Sequence, residues 1–311
     1  MDAVLEIADG RRVRRHTFGA MGTRVRVIAP EATARTRDGF ADAVVMVERT
    51  FARLEGRFTR FRPDSELMAV NAAAGRPTRV SAEFMTLLEL SMDAARRTGG
   101  LFDPTVLPAL LAAGYDRDYA DVAREPRAPR PTPRAAGRWS DLQVDAESVL
   151  LPEGVALDFG GIAKGWTADI AAEQAAHLLP WMIVDAGGDL RLVGEPPVGG
   201  LDVGVEDPFD PSREILRLKL ASGALATSSV TRRSWGPGLH HLIDPRTRRP
   251  AATGILQATV WAESCTEAEV RSKWALLAGH DALDEIHALL VTDEGRLATN
   301  LAALDGAEVG A

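Results

Sequence analysis

The sequence of 311 residues holds a single cysteine, Cys265, which excludes an internal disulfide framework and any thiolate-rich metal site. A buried, inert thiol is the role expected of it. No stretch approaches the roughly 18 apolar residues of a membrane span. The N-terminal MDAVLEIADGRRVRRHTFGAMG likewise contains no apolar run of signal-peptide length, so a cytoplasmic protein is expected. Positive charge is in the minority, 36 Lys and Arg against 44 Asp and Glu, and the net charge of −8 repels polyphosphate. Nucleic acid is therefore not an expected partner. Internal repeats with a period of about 20 to 50 residues are absent, which argues against a solenoid or propeller. What remains is a globular composition, 46% apolar and 26% charged, with enough chain for a sizeable core. A single domain over residues 1–311 is the expected organisation.

Alternation between Arg24 and Ile28 predicts a strand. The spacing of Phe40, Val44, Val47, Phe51 and Leu54 predicts an amphipathic helix from about Asp38, its apolar face in the core. A second helix is expected to begin at Ser81, to carry Phe84, Leu87, Leu88 and Ser91 on one side, and to stop at Gly99-Gly100. From 118 to 139, Pro126, Pro129, Pro131 and Pro133 stand among arginines and alanines and predict an exposed excursion. Any boundary between lobes is expected near it. Farther along, strands are read at Val155–Phe159, Met182–Asp185, Leu201–Glu206, Ile215–Leu220 and Ile255–Ala262. Helices are read after Gly161, at Thr266–Ala278 and at Ala282–Leu290. Strands interleaved with helices predict an α/β or α+β domain around one curved sheet.

Several short stretches could carry chemistry. In LDFGGIAKGWTAD, Leu157 to Asp169, an apolar run enters Gly160-Gly161 and then a helical pattern. Such a junction offers backbone N–H groups to a phosphate, and Lys164 adds a positive charge; an ordinary tight turn has the same spacing. VDAGGDL, Val184 to Leu190, sets Asp185 and Asp189 around two glycines, where carboxylates can bind a metal or a ribose hydroxyl or simply close the turn. Asp103-Pro104 in GGLFDPT also fits a helix N-cap followed by proline. His240 and His241 adjoin at the end of a predicted strand and so face opposite ways, so that at most one points into a given cleft. Glu269 and Lys273 lie four apart on a predicted helix, the spacing of an intrahelical ion pair.

Taken in order, AMGT at Ala20–Thr23, FRPDSELMAVN at Phe61–Asn71, GGLFDPT, LDFGGIAKGW, DAGGD, LATSS at Leu225–Ser229 and HLIDP at His241–Pro245 resemble the ApbE family, the FAD:protein FMN transferases. The resemblance runs from about residue 17 to 290. It implies a mixed α/β to α+β, T-fold-like architecture of two lobes with flavin in the cleft between them. It also implies FAD as substrate and an acceptor protein whose Thr or Ser hydroxyl attacks the phosphorus on the FMN side, leaving FMN on a phosphoester and releasing AMP. By the same resemblance Met21 and Phe61 pack around the flavin, with Tyr more usual at the latter position. Leu101, Phe102 and Asp103 form a second flavin-contacting segment, and Asp158 and Lys164 fall at nucleotide-binding positions. Gly161 matches the residue whose carbonyl faces Mg²⁺, and His241 matches the family's histidine. His241 or Asp244 is the expected acceptor of the hydroxyl proton. Phosphoryl transfer depends on positioning and charge neutralisation more than on covalent help from the protein, which suits this set of residues.

The sequence departs from the family's pattern where Mg²⁺ is held. An Asp and, four residues later, a Thr are implied; Glu269 and Lys273 stand there. Glu still ligates a hard cation, whereas a protonated Lys has no lone pair to give. Either the Lys273 ammonium supplies charge in place of the metal, or it pairs with Glu269 and weakens the site. Weak dependence on Mg²⁺ is expected. Ser229, where Gly commonly follows Thr-Ser, and Arg248-Arg249, where Thr-Gly often precedes the proline, are further departures. A homologue that hydrolyses FAD, or binds it without reaction, is the alternative.

Overall fold

The computed structural model describes residues 13–31, 37–301 and 308–309. The segment ahead of residue 13, part of the stretch read for a signal sequence, lies outside them. The chain forms two compact units. One comprises the chain up to Arg53, Lys164–Arg232 and the chain from Gly254 on; the other comprises Leu54–Ala163 and Arg233–Thr253.

The first unit is built on an eight-stranded sheet whose strands lie side by side in chain order: Val13–Ala20, Thr23–Pro30, Trp181–Ala186, Asp189–Gly194, Ala224–Ser229, Ile255–Ala262, Ala288–Thr292 and Leu297–Thr299. Every neighbouring pair is antiparallel. The first two strands are joined by Met21-Gly22, whose φ angles of 51° and 65° make the left-handed two-residue turn that matches strand twist. On one face Val25, Val27, Met182 and Val184 pack with the helices Arg37–Phe58, Ala163–Ala175 and Cys265–Ala278. On the other, Ile28, Trp181 and Ile183 pack against the hairpin Leu201–Glu206/Glu214–Leu220. With both faces covered, all six residues of Trp181–Ala186 are buried, and its first four, Trp181 to Val184, read as an apolar run. The same effect corrects the helix expected at Ala282–Leu290. Ala288–Thr292 is a fully buried strand paired on both sides, and a short apolar run of that length has no periodicity to separate strand from helix.

In the second unit Phe58, Phe84 and Phe159 form a cluster of tilted and edge-on rings with centroids 5.3 to 6.0 Å apart. The helix Ala82–Arg97 is capped by Ser81, which accepts from Phe84 N, and it stops as expected where Gly99 and Gly100 turn left-handed. Val155–Phe159 is extended but is not a strand. At its centre the Asn71 side chain accepts from Leu157 N at 2.7 Å and donates to Leu157 O at 2.9 Å, while Val155 N donates to Pro152 O and Asp158 N to Pro104 O. Asp103 is not a helix cap either: the helix begins at Leu107, and Asp103 closes a turn by accepting from Thr105 N at 2.7 Å and Thr105 Oγ1 at 2.6 Å. The proline-rich segment starts with a helix, Tyr119–Arg124, capped by Asp118 and anchored by buried Val122. Residues 123–131 are exposed, and Ala136 returns to a core shared with Leu110, Tyr115 and Trp235. Among the described residues, no helix is long and apolar enough to cross a membrane.

Candidate active site

In the first unit a cluster of charged side chains lies where the helices Ala163–Ala175 and Cys265–Ala278 approach each other. Gly165 permits the approach, since a Cβ there would sit 2.5 Å from Cys265 O. Asp169 fixes the start of the second helix by accepting from Cys265 N and Thr266 N, both at 2.8 Å, while Ser264 caps it through Glu267 N. One turn on, Glu269 is wholly buried, with Oε1 accepting from Lys164 Nζ at 2.5 Å and from Lys273 Nζ at 3.2 Å. Its Oε2 accepts from Gly165 N at 2.8 Å. Lys164 also meets Asp189 at 2.6 Å, and Lys273 donates to the main-chain oxygen of Glu269 at 3.2 Å. Buried Ser272 and Ser228 join this helix to the LATSS strand, Oγ to Oγ at 2.7 Å.

Two ammoniums thus face two carboxylates. Burial pushes Asp189 up to about 6 against the pull of Lys164. Burial also disfavours the Glu269 carboxylate, but the two lysines outweigh it and hold the group below the usual carboxylate range. Burial lowers the Lys273 ammonium, which Glu269 opposes. The Glu269 side chain is 0% exposed, whereas each lysine side chain keeps 15%, so it is the cations that a ligand reaches.

The other residues singled out in the sequence divide between the units. Met21 lies in the first, at the tip of its hairpin. Phe61, Leu101, Phe102, Asp103, Asp158, Gly161, His241 and Asp244 lie in the second. Phe61 is 41% exposed, and its ring rests on the Arg60 guanidinium 4.3 Å away. Arg60 is packed between Phe61 and Tyr115, donates to Tyr115 O at 2.9 Å and pairs with Asp158 at 2.9 Å. Asp158 also accepts from Gly160 N at 2.6 Å, so both of its oxygens are engaged within its own unit. Leu101 is half-buried; Phe102 and Asp103 are buried. Gly161 sits in the turn that leads into the helix, where Ile162 N and Ala163 N donate to Phe159 O.

The two histidines differ in burial, and only His240 belongs to a strand. His240, the last residue of the strand Leu239–His240, is buried against Ala251 O at 3.0 Å, and burial lowers its pKa; His241 is half-buried. Asp244 is held by Arg246 through Nε and Nη2, at 3.0 and 2.8 Å. Burial raises it, but Arg246 prevails and keeps the carboxyl below its usual range. A carboxylate so engaged is a poor proton acceptor, which leaves His241 as the better of the two expected bases. Ser229 closes the end of its strand on Thr231 at 2.8 Å, and Arg248 adopts φ 57° in the turn between Ile243–Asp244 and Arg249–Pro250. Gly165, Asp169 and Arg60 carry no motif of their own. The first two stand inside LDFGGIAKGWTAD five and nine residues after Gly160, on the helix that the motif predicts.

Comparison with known proteins shows the family. The ApbE family profile matches residues 21–293. The chain belongs to the ApbE family. An FAD:protein FMN transferase of Rhodobacter capsulatus is 29% identical over 300 residues, which is 90% of this chain and 56% of that relative's length. One of Treponema pallidum is 28% identical over 280 residues, covering 83% of this chain and 76% of the relative. Among solved structures, the ApbE protein of Thermotoga maritima superposes with a TM-score of 0.83 at 26% identity, over 94% of this chain and 99% of that one. The flavin transferase ApbE of Vibrio cholerae shares the fold, with a TM-score of 0.77 at 22% identity over 93% and 97%.

Proposed function

We propose that this chain is an FAD:protein FMN transferase acting on a Thr or Ser of an acceptor protein. The match of residues 21–293 to the ApbE family carries the reading, and relatives that span most of this chain bear that activity in their names. The acceptor hydroxyl oxygen attacks the FMN-side phosphorus of FAD. A new P–O bond forms, the bond from that phosphorus to the bridging oxygen breaks, and AMP leaves with the electron pair. The hydroxyl proton passes to His241, half-buried beside a neighbour that is committed to Ala251. Charge on the pyrophosphate is met by Lys164 and Lys273, the half-buried members of the cluster.

Phe61 offers an exposed apolar ring backed by a guanidinium, which suits stacking on a flavin. By the resemblance to the family, Met21, Leu101 and Phe102 stand at flavin-contacting positions as well. Asp103 and Asp158 act by holding their turns in shape, the latter at the nucleotide-binding position.

Mg²⁺, which the family implies, does not fit the residues at Glu269. Both carboxylate oxygens already accept hydrogen bonds, Oε1 from two ammoniums and Oε2 from Gly165 N. Lys273 cannot ligate a cation. Among the described residues no group of three or more His, Cys, Asp or Glu is placed to hold a metal ion.

The test is release of AMP from FAD with and without an acceptor protein. Release that requires the acceptor and matches its modification supports the reading. Release of AMP with free FMN in the absence of acceptor shows hydrolysis instead, and FAD left intact shows binding alone. Action in the cytoplasm is part of this proposal and is tested by fractionation of cells.

A further inference from the structure

We infer that the Lys273 ammonium is a built-in replacement for a divalent cation, so that FMN transfer by this chain needs no metal at Glu269; this rests on the transferase reading. Three features of the cluster carry it.

The first is occupancy. Glu269 Oε1 lies 2.5 Å from Lys164 Nζ and 3.2 Å from Lys273 Nζ, which together use its acceptor sites, and Oε2 accepts from Gly165 N–H. Mg²⁺ binds at about 2.0–2.1 Å in strict octahedral geometry, and it would have to displace Lys273 to reach Oε1.

The second is charge. Lys164 and Lys273 balance Asp189 and Glu269, two against two, so an added Mg²⁺ would leave a buried excess of two positive charges. Without Lys273 the same cluster carries one net negative charge and attracts a cation.

The third is availability. An ammonium has three N–H donors. Lys273 gives two of them to Glu269, one to the carboxylate and one to the main-chain oxygen, and its side chain is 15% exposed. The third donor remains for a phosphoryl oxygen. The i, i+4 spacing on one helix holds the ammonium in place whether or not ligand is present.

The experiment compares wild type with Lys273→Thr, and with Lys273→Met as an uncharged variant of similar length, each assayed for transfer in EDTA and in Mg²⁺. Mn²⁺ binding to each protein is measured separately by electron paramagnetic resonance without FAD. Wild type is expected to transfer equally, to within about twofold, in EDTA and Mg²⁺. Lys273→Thr should lose about a hundredfold in EDTA and recover at least part of it in Mg²⁺. Lys273→Met should lose as much and recover nothing. Mn²⁺ at millimolar concentration should stay free with wild type and bind to Lys273→Thr. A wild type silenced by EDTA and restored by Mg²⁺ overturns the inference, as does Mn²⁺ bound to wild type and released by Glu269→Gln. If the variants do not fold, the two wild-type results still decide. If wild type neither releases AMP nor modifies an acceptor under any condition, the transferase reading fails, and the Mn²⁺ measurement still judges the lysine on its own.

Discussion

The chain contains two Asp-x-Gly-Gly turns, Asp158 to Gly161 and Asp185 to Gly188, and they spend their first aspartate in nearly the same way. Asp158 accepts from Gly160 N at 2.6 Å and pairs with Arg60 at 2.9 Å. Asp185 accepts from Gly188 N at 2.8 Å and pairs with Arg26 Nε at 2.8 Å. The turns differ in the elements they enter. The first leads into the helix that carries Lys164, and the second leads into a strand whose first residue, Asp189, receives that lysine. They also differ in packing. Gly187 and Gly188 need φ of 71° and 97°, whereas Gly160 and Gly161 are not left-handed, and the Asp185 side chain is 1% exposed against 10% for Asp158. An aspartate beside paired glycines is thus a structural device here, held by arginine. The carboxylates tied to the proposed chemistry are the ones that hold lysines.

Breaking the lysine-held set should have the largest effect. Glu269→Ala leaves the half-buried Lys164 and Lys273 without their shared carboxylate and should cost about 3 kcal/mol of stability in urea unfolding. A cost below about 1 kcal/mol would mean that the cluster is hydrated rather than buried. The arginine-held turns come next and sharpen the comparison. Asp185→Ala should cost less than Glu269→Ala, and Asp158→Ala about half as much as Asp185→Ala because water reaches it better. Equal costs would remove burial as the difference between the two turns.

Backbone strain supplies a smaller effect of opposite sign. Arg248, at φ 57°, carries a side chain where glycine is favoured. Arg248→Gly should raise stability by about 1 kcal/mol, read as a higher Tm, with transfer activity retained. Met21→Gly should give a similar gain through its φ of 51°, but with weaker FAD binding. That split between the two left-handed residues would mark Met21 as the one strained for function. The smallest effect concerns Cys265, which is wholly buried and whose thiol burial pushes well above its usual pKa. It should resist iodoacetamide until the protein unfolds, and rapid native labelling would contradict the packing of its helix.

Much of this was legible in the sequence, and the gaps have physical causes. Ser81 with its apolar face predicted the helix Ala82–Arg97 because capping and periodicity are local. The strand Ile255–Ala262 was predicted to the residue, being bounded by turn signals. Ala288–Thr292 was misread because a run buried on both faces shows no period. Val155–Phe159 has the composition of a strand but no strand partner, and Leu157 N at its centre donates to a side chain 86 positions away in the chain, Asn71. The i, i+4 pair of Glu269 and Lys273 could be seen in the spacing. Lys164, 105 positions from Glu269, could be joined to it only by folding. Gly165 shows the same limit, since its importance lies in the Cβ that would strike Cys265 O.

The most direct measurement is the intact mass of an acceptor protein incubated with FAD and this chain in EDTA. One FMN less a water should be added to each acceptor, with one AMP released per modification and no gain on an acceptor whose target hydroxyl is removed. An acceptor of unchanged mass beside free FMN and AMP would show water to be the acceptor and would contradict transfer.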